Sequence, residues 1–142
     1  MRIPEGAVTT SFRFRVAYID TDRGDVMHHA TYLRYLEVAR VEHLRDRGVD
    51  YRAFELVQGL SLPVVEVHVR YKQAARFDDA LEIKTWLGLA NRAKVRFDSV
   101  ILRGNELLTR AEITLCCVQL DGHRICSVPE NILALAQPQP AP

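Results

Sequence analysis

The sequence has no long hydrophobic run: nothing in its 142 residues approaches the roughly 20 apolar positions that a membrane-spanning helix needs. It has almost no net charge, 19 Lys and Arg against 18 Asp and Glu, and so offers no electrostatic case for nucleic acid or a membrane surface as a partner. Cysteine is scarce and odd in number. Cys116 and Cys117 are adjacent and Cys126 stands apart, which fits neither a disulfide framework nor a CxxC metal motif. Reduced, buried thiols in a cytoplasmic protein are expected. The opening residues MRIPEGAVTT lack both an apolar segment and a cleavage signature, so secretion is not expected. There is no repeat and no internal linker. What remains is a soluble globular composition of one-domain length: a loose lead-in over 1–10, a single domain over 11–136 and a disordered tail, QPQPAP, over 137–142.

The chain is organised around Val16 to Gly48, VAYIDTDRGDVMHHATYLRYLEVARVEHLRDRG. Phe12, Phe14, Val16 and Tyr18 alternate with Arg13, Arg15, Ala17 and Ile19, the period of two of a strand with one buried face. Beyond a polar turn, Tyr32, Leu33, Tyr35, Leu36, Ala39 and Leu44 fall on one arc of a helix. Arg34, Glu37, Glu42 and Arg45 fall on the other side. Val38 and Val41 lie outside the arc, so the helix is expected to be covered on more than one side. Thr31 reads as its N-cap and Gly48 as the residue just past its end. Three carboxylates, Asp20, Asp22 and Asp25, and two imidazoles, His28 and His29, therefore crowd the helix entrance.

After Gly48 the segment to Gly59 predicts a short helical turn around Tyr51 to Leu56, and strands follow. Val65, Val67, Val69 and Tyr71 alternate with Glu66, His68, Arg70 and Lys72, a half-buried pattern. Leu81, Ile83, Thr85 and Leu87 alternate with Glu82, Lys84 and Trp86. Val95, Phe97, Ser99 and Ile101 alternate with Lys94, Arg96 and Asp98, leading through a loop at Arg103 to Glu106 into Leu107 to Leu120 as an antiparallel hairpin. Asp121-Gly122 marks a turn into a short strand at Arg124 to Ser127, and a helical turn follows from Pro129, at its first position, to Leu135. One helix with four or five antiparallel strands is an α+β arrangement. A single helix cannot cover both faces of such a sheet, so self-association is expected.

The run from Asp20-Thr21-Asp22 through His29 to the Tyr-bearing helix and Glu37-Val38-Ala39-Arg40 resembles the hotdog-fold acyl-CoA thioesterases of the 4-hydroxybenzoyl-CoA thioesterase family, especially the YbgC-like branch. The resemblance continues through Pro63, Glu66, Tyr71 and the RFDDAL segment of Arg76 to Leu81, and covers roughly residues 12 to 135. It implies a long helix wrapped by a five- or six-stranded antiparallel sheet, with dimers or tetramers placing sites at the dimer interface. It implies an acyl-CoA or acyl-carrier substrate and no cofactor. Asp22 falls on the family's catalytic carboxylate, as nucleophile or general base, and His29 on the residue whose backbone N–H polarises the thioester carbonyl. Val26 and Tyr32 fall among the substrate-contacting positions, and Arg92 and Lys94 near the segment that meets CoA phosphates. Asp25 stands where the family more often has a small residue, and His28 where an aromatic is usual.

The chemistry of these residue types agrees. Attack on a thioester builds negative charge on the carbonyl oxygen, which helix N-terminal N–H groups offset, and a carboxylate nearby supplies the attacking or proton-accepting group. Each residue also has a simpler reading. Asp22 is a turn cap, Asp25 a cap facing solvent, Glu37 a salt-bridged helix residue, and Tyr32 and Tyr35 core or interface residues. The two adjacent imidazoles are not expected to converge on a metal ion. Three functions stay open: thioester hydrolysis; a hydratase or dehydratase, which would interconvert an enoyl-CoA and its hydrated form; and acyl-thioester binding without thiol release.

Overall fold

The computed structural model describes residues 2–136, so the expected tail over 137–142 lies outside the described residues. Strand β1 spans Thr10–Arg15, helix α1 Thr31–Asp46 and the short helix α2 Tyr51–Leu56. Strands β2 (Leu60–Ser61), β3 (Val64–Tyr71), β4 (Ala80–Ala90), β5 (Val95–Arg103), β6 (Glu106–Leu115), β7 (Cys117–Gln119) and β8 (Arg124–Cys126) follow, and helix α3 covers Glu130–Leu133. The main sheet has the order β1-β4-β5-β6-β3, and β2-β7-β8 form a second, three-stranded sheet. All pairings are antiparallel. This is the α+β layout expected, one substantial helix laid on a five-stranded sheet.

The core lies between them. Tyr32, Leu36, Ala39 and Leu44 of α1 are buried against Leu81, Ile83, Phe97, Ile101, Leu108 and Ile113 of the sheet. Val38 and Val41 are half-buried, so cover reaches around the helix as its apolar spread implied. The buried stripe also takes in Arg40 and His43, two polar residues the hydrophobic pattern did not select. The helix ends as its sequence indicated. Gly48 has φ +85°, its N–H donates to the Arg45 carbonyl at 3.0 Å, and the Val49 N–H donates to the Leu44 carbonyl at 2.8 Å. That is the Schellman pattern, which only a left-handed residue closes without strain.

Several boundaries differ from the expected ones. β1 stops at Arg15 rather than continuing through Tyr18, because the Asp20 carboxylate accepts the Ala17 N–H at 2.9 Å and closes a 3-10 turn over Tyr18–Asp20. Thr31 is the first helical residue, not the cap. Ala30 holds the cap position, and the Thr31 N–H donates to the His28 carbonyl at 2.9 Å. The strand expected over Leu107 to Leu120 is split, because the Cys116 N–H donates to the Pro63 carbonyl and leaves the main ladder. Pro129 is the N-cap of α3, with the helix starting at Glu130, and β8 ends at Cys126. The largest difference is β3. Its alternation promised one buried face, Val65, Val67, Val69 and Tyr71, yet only Val69 packs against the core and the other three are 41–59% exposed, because β3 is an edge strand paired only with β6.

Candidate active site at the entrance of α1

Asp20 builds the site. It is 2% exposed, and a buried carboxylate is tolerated only when donors surround it. Here three do: the Ala17 N–H at 2.9 Å, the Tyr35 hydroxyl at 2.5 Å and the Arg34 guanidinium at 2.7 Å. The Tyr35 phenol is pushed above its usual range, first by burial and then by this contact. The Asp20 carbonyl accepts the His28 N–H at 2.8 Å. One residue thus ties the end of β1, the start of α1 and the turn between them.

The turn itself is stapled to the segment before β4. Thr21 bridges Met27, Val26 bridges Arg76, and the Met27 N–H donates to the Ala75 carbonyl at 2.7 Å. Tyr32, 2% exposed, accepts the Ala75 N–H on its hydroxyl at 3.1 Å. Asp25 has φ +60°, a left-handed conformation that favours Gly and is next best tolerated by Asn and Asp. An Asp is therefore tolerated at this position, and its side chain is exposed.

Asp22 is exposed at the tip of this turn. Its Oδ1 accepts the Gly24 N–H at 2.8 Å, an Asx turn that orients the carboxylate. Among the described residues no group donates to its Oδ2. The His29 N–H is likewise without an acceptor among the described residues, and its direction is set from both sides. The His28 carbonyl, on the same peptide unit, accepts the Thr31 N–H, and the His29 carbonyl accepts the Tyr71 hydroxyl at 2.7 Å. In a trans peptide the N–H opposes the C=O, so it points out of the helix N-terminus. The 16 residues of α1 add their dipole to it. The His29 ring is exposed and stacks on His28 with centroids 4.3 Å apart. The His28 Nδ1 accepts the Ala30 N–H at 3.1 Å.

Asp22, Val26, His29 and Tyr32, together with Tyr71 and Lys72, line one cleft of about 340 Å³. Asp22 also borders a second, larger cleft of about 1060 Å³ beside Tyr18, Ile19, Arg23, Asp25, Arg76 and Phe77. The structure thus brings four of the six expected site residues together. Arg92 and Lys94 are elsewhere in this chain. They lie in the β4–β5 turn, with Arg92 3.6 Å from Glu130, about 33 Å along β4 from the Asp22 end at ~3.3 Å per residue. Glu37 is exposed beside Arg40 at 3.9 Å and lines a different cleft. Among the described residues no three His, Cys, Asp or Glu side chains are arranged to hold a metal ion. Sequence reasoning missed the roles of Asp20 and of the Tyr71 hydroxyl. An Asp followed two residues later by a second Asp gives no sign of which is buried, and the Tyr71–His29 contact joins residues 42 apart.

This architecture can be compared with known proteins. Residues 16–135 match the thioesterase-like superfamily. The chain belongs to that superfamily. It is 35% identical over 129 residues to the acyl-CoA thioester hydrolase YbgC of Escherichia coli O6:H1, covering 89% of this chain and 96% of the relative. Among solved structures, the hypothetical protein TT1821 from Thermus thermophilus superposes with a TM-score of 0.82 at 34% identity, over 89% of this chain and 96% of that one. A 4-hydroxybenzoyl-CoA thioesterase complexed with 4-hydroxybenzoyl-CoA shares the fold at TM-score 0.82 and 20% identity, over 91% and 99% of the two chains. The fold of this thioesterase-like protein is the hotdog fold, and its superfamily match begins at Val16, so it takes in the whole Asp20–Tyr35 turn and helix entrance.

Proposed function

We propose that the protein hydrolyses an acyl-CoA thioester to the free acid and the CoA thiol. One observation carries the reading: Asp22, with one carboxylate oxygen free, and His29, whose N–H is unpaired among the described residues and held in direction at the entrance of α1, line the same cleft. Such an N–H offsets the charge that develops on the carbonyl oxygen. The Asp22 Oδ2 either attacks the thioester carbon or takes a proton from the water that does. The kinship with YbgC thioester hydrolases supports the substrate class.

The reading includes a second copy of the chain. β3 presents an unpaired ladder edge and exposed valines, and a two-fold axis through it would continue the sheet. The antiparallel partner strand would bring the far end of the second copy's sheet, with its Arg92 and Lys94, to the end that holds Asp22. Those residues then reach CoA phosphates from across the interface, and four copies assemble if two such pairs stack. Three free cysteines fit a reducing, cytoplasmic setting.

The test is release of CoA thiol from a panel of acyl-CoAs by the wild type and Asp22→Asn. The variant is expected to lose activity by about 100-fold or more with its fold intact. If the wild type releases no thiol from any substrate, binding without turnover replaces this reading. Retained activity in the variant would move the chemistry to another carboxylate.

A further inference from the structure

Cys117 and Cys126 face each other in the small sheet. β7 and β8 pair antiparallel with these two residues directly opposite, and the Cys126 Sγ donates a weak hydrogen bond to the Cys117 Sγ at 3.4 Å. Both are thiols, as is Cys116. Directly opposed residues of an antiparallel pair have Cα atoms about 4.5–5.5 Å apart, inside the roughly 4.4–6.8 Å that a disulfide spans. To bond, the two sulfurs must close by about 1.3 Å, from 3.4 Å to the ~2.05 Å of an S–S bond. β8 can supply that movement, because it is a three-residue edge strand with its Ile125 side chain 79% exposed. Cys116 has no such partner. It precedes β7 and donates its N–H to the Pro63 carbonyl, and the register puts no cysteine opposite it.

The two thiols differ in access. Cys117 is fully buried within the core, and burial, then the Cys126 contact, push its pKa up to about 12. Cys126 is half-buried, so a small reagent in solution meets it first. An oxidant of the low-molecular-weight disulfide class, RSSR, then reacts in two exchanges. The Cys126 thiolate attacks one sulfur of RSSR, breaking its S–S bond, forming Cys126–S–S–R and expelling RS⁻. The Cys117 Sγ loses its proton and attacks the Cys126 Sγ, expelling the second RS⁻. Two protein thiols are oxidised to one disulfide, one RSSR is reduced to two RSH, and the two protons end on RSH. The second exchange is intramolecular, so contact at 3.4 Å offsets the scarcity of the Cys117 thiolate.

We propose that Cys117 and Cys126 are a reversible disulfide site, which ties β8 to β7 when a low-molecular-weight disulfide is in excess over thiols. The tie matters because β8 is held on one side only, by β7. The turn between them, Asp121–His123, is exposed. Just past β8 the Val128 N–H donates to the Arg92 carbonyl at 2.9 Å. A covalent link across the pair opposes the local opening to which short, exposed edge elements are prone. It also lies away from Asp22. From Thr109, opposite Tyr71, to Leu115, opposite Val64, β6 runs about 20 Å at ~3.3 Å per residue, and Cys117 lies beyond. The site therefore does not depend on the hydrolase reading. With thiols in excess the exchange runs back, which keeps the cysteines reduced in a reducing setting.

Oxidised glutathione, in excess over the full chain, tests it. Thiols counted in denaturant after the reagent is removed are expected to fall from three to one. Peptide mapping should join Cys117 to Cys126, the urea midpoint should rise, and dithiothreitol should restore all three thiols and the original midpoint. Cys116→Ser is expected to keep both the cross-link and the raised midpoint. Cys126→Ser is expected to lose both, and Cys117→Ser to stop at a glutathione adduct on Cys126. Because Cys126 is only half-buried, its variant keeps the comparison available if the buried Cys117 variant fails to fold. Three thiols still present after oxidation would overturn the proposal. So would a cross-link through Cys116 or between molecules, or one that leaves the urea midpoint unchanged.

Discussion

Asp20 and Asp22 are separated by one threonine and meet opposite surroundings, 2% exposed with three donors in one case and open to solvent with one oxygen free in the other. Arg34 is 58% exposed, so its charge pairing counts for little; the Ala17 N–H and Tyr35 hydroxyl are the groups a substitution would strand. Asp20→Ala is expected to lower stability by roughly 2–4 kcal/mol, read as a reduced urea midpoint, and to lower thiol release through the displaced turn. His43 is a second buried polar residue whose surroundings predict a measurable effect. It is 1% exposed, its Nδ1 lies 2.9 Å from the Thr10 hydroxyl, and burial, then the Arg47 charge, push its pKa down to about 4 from 6.5. The unfolded chain therefore binds a proton that the folded chain refuses. Stability is complete above about pH 6.5 and falls as pH drops toward 4, by roughly 2 kcal/mol between pH 7 and pH 5. Urea midpoints across that range check it, and His43→Asn should flatten the slope.

Among the elements, β4 carries a register shift between Leu87 and Leu89, and Gly88 sits in it. A Cβ there would overlap the Asp98 carboxylate. Asp98 is 4% exposed and takes two hydrogen bonds from Arg96, at 2.7 and 3.0 Å. Gly88→Ala is thus expected to cost about 2 kcal/mol and to loosen that pair, seen as a lower melting temperature. The elements also show how far local pattern reaches. α2 lies over the residues its sequence indicated, Tyr51–Leu56, since its cap, Asp50, is a local device: the side chain accepts the Ala53 N–H. The end of β1 could not be read the same way. Phe12 to Ile19 keeps its alternation, but the strand stops where Asp20 finds Arg34 and Tyr35, 14 and 15 residues on.

At the scale of the molecule the unfinished feature is the β3 edge. If a two-fold axis runs through it, Asp at position 67 places like charges across the interface. Val67→Asp should then convert a dimer to a monomer in light scattering and reduce thiol release, while a wild type monomeric at micromolar concentration would refute the pairing. The same edge explains why the half-buried pattern of Val65 to Tyr71 is not matched by burial in one chain: alternation records which side chains are apolar, not what covers them. Turn residues, strand period and helix stop were legible in this chain because each depends on neighbours within a few positions. So was the helix-entrance motif, a contiguous run from Asp20 to Arg40. Which aspartate is buried, which hydroxyl holds the His29 carbonyl, and how Asp22 comes to divide two clefts depend on contacts between residues up to 43 apart. Those contacts exist only after the sheet has closed over the helix.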